Sequence, residues 1–437
     1  MMRVVDCRKG QLNITVGSLL RDALLTRLPE WLSRIFRRRL GMRIPDYVFM
    51  VHTRTLDDVY AAFPLMKQLV RWVPERWVLR VLEFLGSATV YSMDWPEWNL
   101  YGMVVSTLHL PQEFFGHRRK TMRIASSNFR LIHRLGVRDG VVALAGWWPS
   151  ATRLGRSLLP LIDPQSCMRI TTGHTATLFS LERTTLAVLD AIGMPLSSAR
   201  IAVLGVGHMG SAYARLFNGK CAKLGLFDRN VHKAEKLGQE LNLRADSSQV
   251  FVYHPASSNS EVIDAAIVDP DDQMIAGFLA QFDVAICTTT NTQHIIHDVR
   301  HLRNCIIIDD SRPEAFPRVY DPERGVVVLE GGLIRLPGIQ IGHDNGWGAN
   351  SEEVFGCMAE GALLAILPQN AMAPTIGEID PAQYHRLSMA CDRLGVTEGR
   401  LCCGSRVMTP AMLRALAPME ASGLPEAAAY ALTADWC

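Results

Sequence analysis

Long hydrophobic runs are missing from this 437-residue sequence: no stretch of 18 or more uncharged apolar residues occurs, so no membrane-spanning helix is expected. Paired cysteines are missing too. The 10 cysteines are scattered, only Cys402 and Cys403 are adjacent, and no CxxC or Cys/His ligand spacing appears, which argues against a zinc site. A strong charge of one sign is also lacking. The formal net charge of +2 gives no global attraction to nucleic acid, so any electrostatic partner has to be met by a local patch. Internal repeats and low-complexity segments are absent. Charges interrupt every apolar run in the first ten residues, which therefore do not read as a secretory signal. Dispersed cysteines in a large α/β chain read as a reduced, cytoplasmic protein, with most of the thiols acting as small core residues.

What is present is globular. Hydrophobic residues make up 48% and charged residues 20%, enough for a sizeable core, and the length suggests two or three lobes. Residues 1–46 stand apart as a basic amphipathic arm. Leu24, Leu28, Trp31, Leu32, Ile35 and Phe36 recur at helical spacing, Arg27, Arg34, Arg37, Arg38 and Arg39 supply the polar side, and Pro29 can split the segment. Such an arm either packs on the body or on a partner subunit of a homo-oligomer, or gives a peripheral membrane contact through residues 18–40. Packing is the favoured reading.

The body begins with an apolar strand at Tyr47–His52. Further strands are expected at 87–92, 102–108 and 140–146, with helices at 111–135 and 175–192, the latter stopped by Gly193 and Pro195. The run from Ala199 to Gly205 reads as a parallel strand covered on both faces, followed by strands at 224–228, 282–287, 305–309 and 326–329 in βαβ alternation. A last helix is expected from Asn350 to Leu367, because Asn350 and Glu353 have capping-box spacing. The expected fold is α/β: a Rossmann-type doubly wound parallel sheet at 196–342, an N-terminal α/β substrate domain at 47–195, and a C-terminal helical region at 343–437.

Gly205, Gly207 and Gly210 form a GxGxxG loop with its full setting: a strand before, a helix after, and the acid Asp228 ending the next strand. The first glycine permits the turn, the second lets backbone reach a pyrophosphate, and the third lets helix and strand approach. His208 and Met209 open the helix whose free N–H groups face the phosphates. Asp228 suits the ribose 2′-hydroxyl of NADH, whereas Arg229, beside Asn230 and Lys233, suits the 2′-phosphate of NADPH. Both cofactors are therefore expected to serve, NADPH first. Thr288 and Thr289 follow the next apolar strand and are candidates for lining the nicotinamide, against the reading of an ordinary polar loop.

Three stretches resemble the long-chain acyl-[acyl-carrier-protein] reductases of cyanobacteria. The first runs from Ile170 through Thr171, Thr172, Gly173 and His174 to Thr177. The second is Cys305–Asp309 with Pro313, continuing through Val326–Leu329 to Gly331 and Gly332. The third is Val354–Glu360, containing Cys357, with Leu363 and Leu364. Weaker matches lie at Val48–His52, Leu110-Pro111 and Ala143–Gly146, so the resemblance spans about residues 47–400. It implies that Cys357 takes an acyl group from a carrier-protein thioester and that NADPH reduces the enzyme thioester to an aldehyde. It also places Gly331 and Gly332 at the cofactor. Where the family has Asn and His, this chain has His174 and Ala176, so His174 is the candidate for proton transfer. Where the family has an uncharged residue, this chain has Asp228.

The residues alone make Cys357 a cysteine inside a helix, about two turns past the expected N-cap. Its neighbours Gly356, Ala359 and Gly361 leave room beside the sulfur. The leading expectation is an enzyme, an NAD(P)H-dependent reductase of acyl thioesters carried by acyl-carrier protein or CoA. Arg118, Arg119 and Lys120 are candidates for docking an acidic carrier. The alternatives are an oxidoreductase of a small hydroxy or amino acid resembling shikimate dehydrogenases, with Cys357 merely packing, and a non-catalytic dinucleotide-binding module.

Overall fold

Two largely buried sheets form the framework of the core, each in its own compact unit. The structure, a computed structural model, describes residues 16–53, 60, 68, 71–114, 116–243, 247–253, 270–290, 293–342, 352–368 and 370–416. Among the described residues, one unit comprises 16–179 and 334–397, the other 180–333 and 398–416. The region 343–437, expected as a separate helical part, is thus divided between them. The reason is visible in the helix Gly356–Ile366, whose Met358, Ala359, Ala362, Leu363 and Leu364 are all buried. A helix buried on nearly every side needs cover all round, and this one packs on the strands Tyr47–His52 and Val141–Leu144.

In that unit the sheet runs in the order Gln340–Ile341, Ser87–Trp95, Leu100–Thr107, Tyr47–His52, Val141–Leu144, Arg169–Thr171. The last four strands are parallel, with Tyr47 opposite both Gly102 and Val141, and Val141 opposite Arg169. Tyr47 to Met50 are buried without interruption, as a strand covered on both faces requires. Pro29 does split the N-terminal segment, into the helices Val16–Arg27 and Glu30–Arg39. Residues 16–46 pack on the body. Leu19, Ala23 and Leu25 are buried, and the fully buried Asp22 accepts hydrogen bonds from the Thr89 amide and hydroxyl, both at 2.7 Å. The face read as apolar is divided: Leu24, Trp31 and Ile35 are exposed.

The other unit has the strand order expected of a Rossmann sheet. Gln249–Val252, Lys223–Phe227, Arg200–Leu204, Val284–Cys287, Cys305–Asp309 and Val326–Glu330 lie side by side and parallel, with Tyr320–Asp321 antiparallel at the edge. Ile201, Val203, Ile286, Ile306 and Val327 are among its fully buried residues.

The expected helix start at Asn350 is corrected. Asn350 lies outside the described residues, Glu353 is buried in the strand Glu353–Phe355, and the helix begins at Gly356 with Phe355 as its N-cap. A short apolar strand running straight into an apolar helix carries no change of periodicity at the junction.

Candidate functional site

The four parallel strands of the first unit end together at His52, Thr107, Leu144 and Thr171, and ligands of open α/β sheets bind beyond such carboxyl ends. Gly173 follows directly and turns the chain with φ +70° into the helix His174–Ile192. A Cβ on Gly173 would lie 2.2 Å from the Cys357 Cα, so the loop rests on the cysteine's own backbone. Gly356 is equally confined, its Cβ position lying 2.6 Å from the Thr177 Cα. The space read as room beside the sulfur is therefore filled, by Thr177 at Gly356 and by Ala143 at Gly361.

The corrected helix start moves Cys357 into the first turn, as the second helical residue. There the free N–H groups and the positive end of the helix dipole favour an anion, which the expected position two turns further in would not. The thiol is in no disulfide and is half-buried. Tyr91 lies near it: burial pushes the Tyr91 hydroxyl up, and the Cys357 charge adds to the shift. One turn on, the fully buried Glu360 accepts hydrogen bonds from the Thr171 hydroxyl, from the Ala176 amide at 3.0 Å and from the Thr375 amide at 3.4 Å. This carboxylate ties the cysteine's helix to the Thr171–His174 loop.

His174 is the first residue of its helix and half-buried, whereas Ala176, at the family's histidine position, is fully buried. Two further histidines at this edge were not singled out as site residues. The His52 Nε2 accepts from the Trp147 amide at 3.1 Å, and its Nδ1 lies 3.1 Å from the Thr53 carbonyl, to which it donates. His109 Nδ1 lies 2.9 Å from the Thr107 hydroxyl, and burial lowers the pKa of this ring. Their position at strand ends was the available signal. A cavity of about 600 Å³ lined by Pro45, Asp46, Leu100, Gly140 and Arg169 sits at the opposite, amino-terminal edge of the strands and takes no part in this constellation.

In the second unit the glycine loop has the expected build. Gly205 turns at φ +86°, a Cβ on Gly210 would lie 2.0 Å from the Gly205 carbonyl oxygen, and a Cβ on Gly207 would meet nothing within 4 Å. Open space thus faces the N-terminus of the helix His208–Phe217, where a pyrophosphate has to approach. His208 is exposed and Met209 half-buried.

Asp228 and its neighbours do more than the sequence suggested. The Asp228 carboxylate accepts from the Val206 amide and from the Asn230 amide, both at 2.9 Å, so it braces the loop. Asn230 caps the helix Val231–Asn242 by accepting from the Lys233 amide, and Arg229 is exposed. The Thr288 hydroxyl donates to the Gly205 carbonyl at 2.8 Å, and the Thr289 amide donates to the Ser311 hydroxyl at 3.1 Å. Both threonines are built into the loop's support.

Gly331 and Gly332 are not brought to the loop. They follow the strand Val326–Glu330, with two strands intervening before Arg200–Leu204. What they adjoin is a buried ion network. Arg318 pairs with Asp309 at 2.8 Å and with Glu330 at 2.6 Å, and Arg312 pairs with Glu330 at 2.8 Å. Beside it, burial pushes the Asp310 carboxyl up to about 7, opposed by Arg312 and reinforced by Asp309 and Glu330. Arg118 and Arg119 are exposed on the other unit, and Lys120 pairs with Glu113 at 3.4 Å.

A scan against protein-family models and a search of curated proteins gave no match. Among solved structures the chain is similar to a shikimate dehydrogenase in complex with NADP+, at 12% identity and TM-score 0.32, over 80% of this chain and 96% of that one. It is similar to 5-ketofructose reductase from a Gluconobacter species at 10% identity and TM-score 0.29, over 80% and 98%. Dipicolinate synthase A chain from Bacillus subtilis aligns at 13% identity and TM-score 0.25, over 40% of this chain and 51% of that one, so the match spans about half that protein's length. Likenesses at these scores carry no argument on substrate or reaction.

Proposed function

We propose that the protein is an oxidoreductase, an NADPH-dependent reductase that takes an acyl group from a thioester of acyl-carrier protein or CoA onto Cys357 and releases it as an aldehyde. One observation carries this reading: Cys357 stands in the first turn of its helix, half-exposed, against the Gly173 loop at the carboxyl edge of a parallel sheet. A cysteine retained only for packing has no need of that place. The resemblance of residues 170–177 and 354–360 to acyl-[acyl-carrier-protein] reductases supports the same assignment.

The Cys357 thiolate attacks the carbonyl carbon of the thioester, the substrate's C–S bond breaks, and the carrier leaves as a thiol after taking up a proton. Exchange of one thioester for another is nearly isoenergetic, so the thiolate's nucleophilicity suffices. To His174, next to Gly173, we assign the supply of that proton. Glu360 acts as a positioning residue through Thr171 and Ala176. The open space at Gly207 and the bracing of the loop by Asp228 fit a dinucleotide, and Arg229 suits the 2′-phosphate of NADPH, with NADH a usable substitute. When bound, the cofactor would supply a hydride to the acyl carbon, and the C–S bond to Cys357 would break, leaving its thiolate as the aldehyde forms.

Intact-mass measurement after incubation with an acyl thioester, without cofactor, tests the first step. The expected result is a gain of one acyl mass that Cys357→Ser does not show. An unmodified protein, or equal modification of the serine variant, overturns the assignment of Cys357.

A further inference from the structure

We propose that the outward faces of the helices Val16–Arg27 and Glu75–Leu85 form one docking surface for an anionic lipid bilayer. Each helix buries one stripe and exposes another. Leu19 and Ala23 are buried while Leu20 and Leu24 are 59% and 44% exposed; Val78 and Leu82 are buried while Trp77, Val81 and Phe84 are 50%, 47% and 70% exposed. The spacings 20, 24, 27 and 77, 81, 84 put each exposed set in line along its helix. Arg27, at the end of the first line, lies 4.4 Å over the Phe84 ring and donates to the Phe84 carbonyl, which joins the two stripes.

The surround is basic. The two helices and the intervening helix Glu30–Arg39 carry eight arginines against four acids. Of those acids, Asp22 is buried on Thr89 and Glu30 is engaged by Arg34 and Arg138. Arg80 lies 5.1 Å from the Trp77 ring centre, and the intervening helix exposes Trp31 and Ile35 beside Arg34, Arg38 and Arg39. Large apolar side chains with tryptophan among them, rimmed by arginine, match the boundary between headgroups and acyl chains of an anionic leaflet. A second copy of the chain would set the same arginines against each other across a two-fold axis, and like charges facing one another disfavour that occupant. No helix among the described residues is long and apolar enough to cross a membrane, so the contact is peripheral.

Flotation of the full chain with phosphatidylcholine vesicles, with and without phosphatidylglycerol, tests this. The expected result is co-flotation with the anionic vesicles only, weakened by high salt. Trp77→Ser with Phe84→Ser, and separately Arg76→Ala with Arg80→Ala, should each lower the bound fraction at least fivefold while circular dichroism stays unchanged. Quenching of tryptophan emission in the unsubstituted protein by brominated anionic lipid gives a reading independent of any variant's folding. Three results would overturn the proposal: no flotation with anionic vesicles, flotation and quenching indifferent to the charge of the lipid, or a sedimenting dimer that the Trp77/Phe84 variant dissociates while vesicles bind neither form.

Discussion

Gly207 and Gly210 stand three residues apart and differ in what a side chain would meet. At Gly210 a methyl would strike the Gly205 carbonyl, whereas at Gly207 it would enter open space. Gly207→Ala should therefore leave the melting temperature nearly unchanged but fill the approach to the helix N-terminus. NADPH affinity measured by calorimetry should fall at least about tenfold, or about 1.4 kcal/mol. Unchanged affinity would place the dinucleotide elsewhere. This loop was legible in the sequence because strand, turn, helix and acid are close neighbours along the chain. The role of Glu360 was not, since its partner Thr171 is 189 positions away.

Asp310 offers a pH signature of its own. Its carboxyl is held at about 7 in the folded state, above its ordinary value of 3.8. The folded protein therefore keeps a proton there that the unfolded chain releases. The resulting penalty is absent below about pH 4, grows as pH rises, and is complete once pH passes about 7. Asp310→Asn should raise the melting temperature relative to the parent by an amount that increases from pH 4 to pH 7 and then levels off. A difference that does not vary with pH would contradict the raised titration of this carboxyl.

Among the elements, the helix Val16–Arg27 shows where periodicity misleads. The arm's apolar residues at helical spacing gave the correct secondary structure and the correct break at Pro29. Which residues turn inward depended on a sheet that local spacing does not describe: Leu25 is fully buried, while Leu24 beside it is exposed. Leu25→Ala should destabilise the protein by about 2–5 kcal/mol in denaturant titration, the cost of an unfilled core cavity. A loss below about 0.5 kcal/mol would contradict the packing of this helix on the body. The helix Gly356–Ile366 teaches the converse lesson. Asn350 and Glu353 have the spacing of a capping box, yet Glu353 is a strand residue, and the true start at Gly356 brings Cys357 to the helix N-terminus. The error in one boundary concealed the strongest argument for the cysteine.

For the whole molecule, the parallel sheet followed from the βαβ alternation, whereas the strand Gln249–Val252 and the division of the C-terminal region did not. Residues 334–397 belong with 16–179 because a largely apolar helix has to be covered, and which sheet covers it is a long-range matter. The central claim is chemical: on the proposed reading, an acyl group carried on Cys357 is the species that NADPH reduces. The direct measurement is a single-turnover chase. Acyl-enzyme is prepared without cofactor, freed of thioester by gel filtration, and mixed with NADPH. The account predicts one aldehyde for each acyl group lost, with the protein returning to its unmodified mass. An adduct that persists under NADPH, while free thioester is reduced in the same solution, would show that hydride reaches bound substrate directly and that Cys357 carries no intermediate.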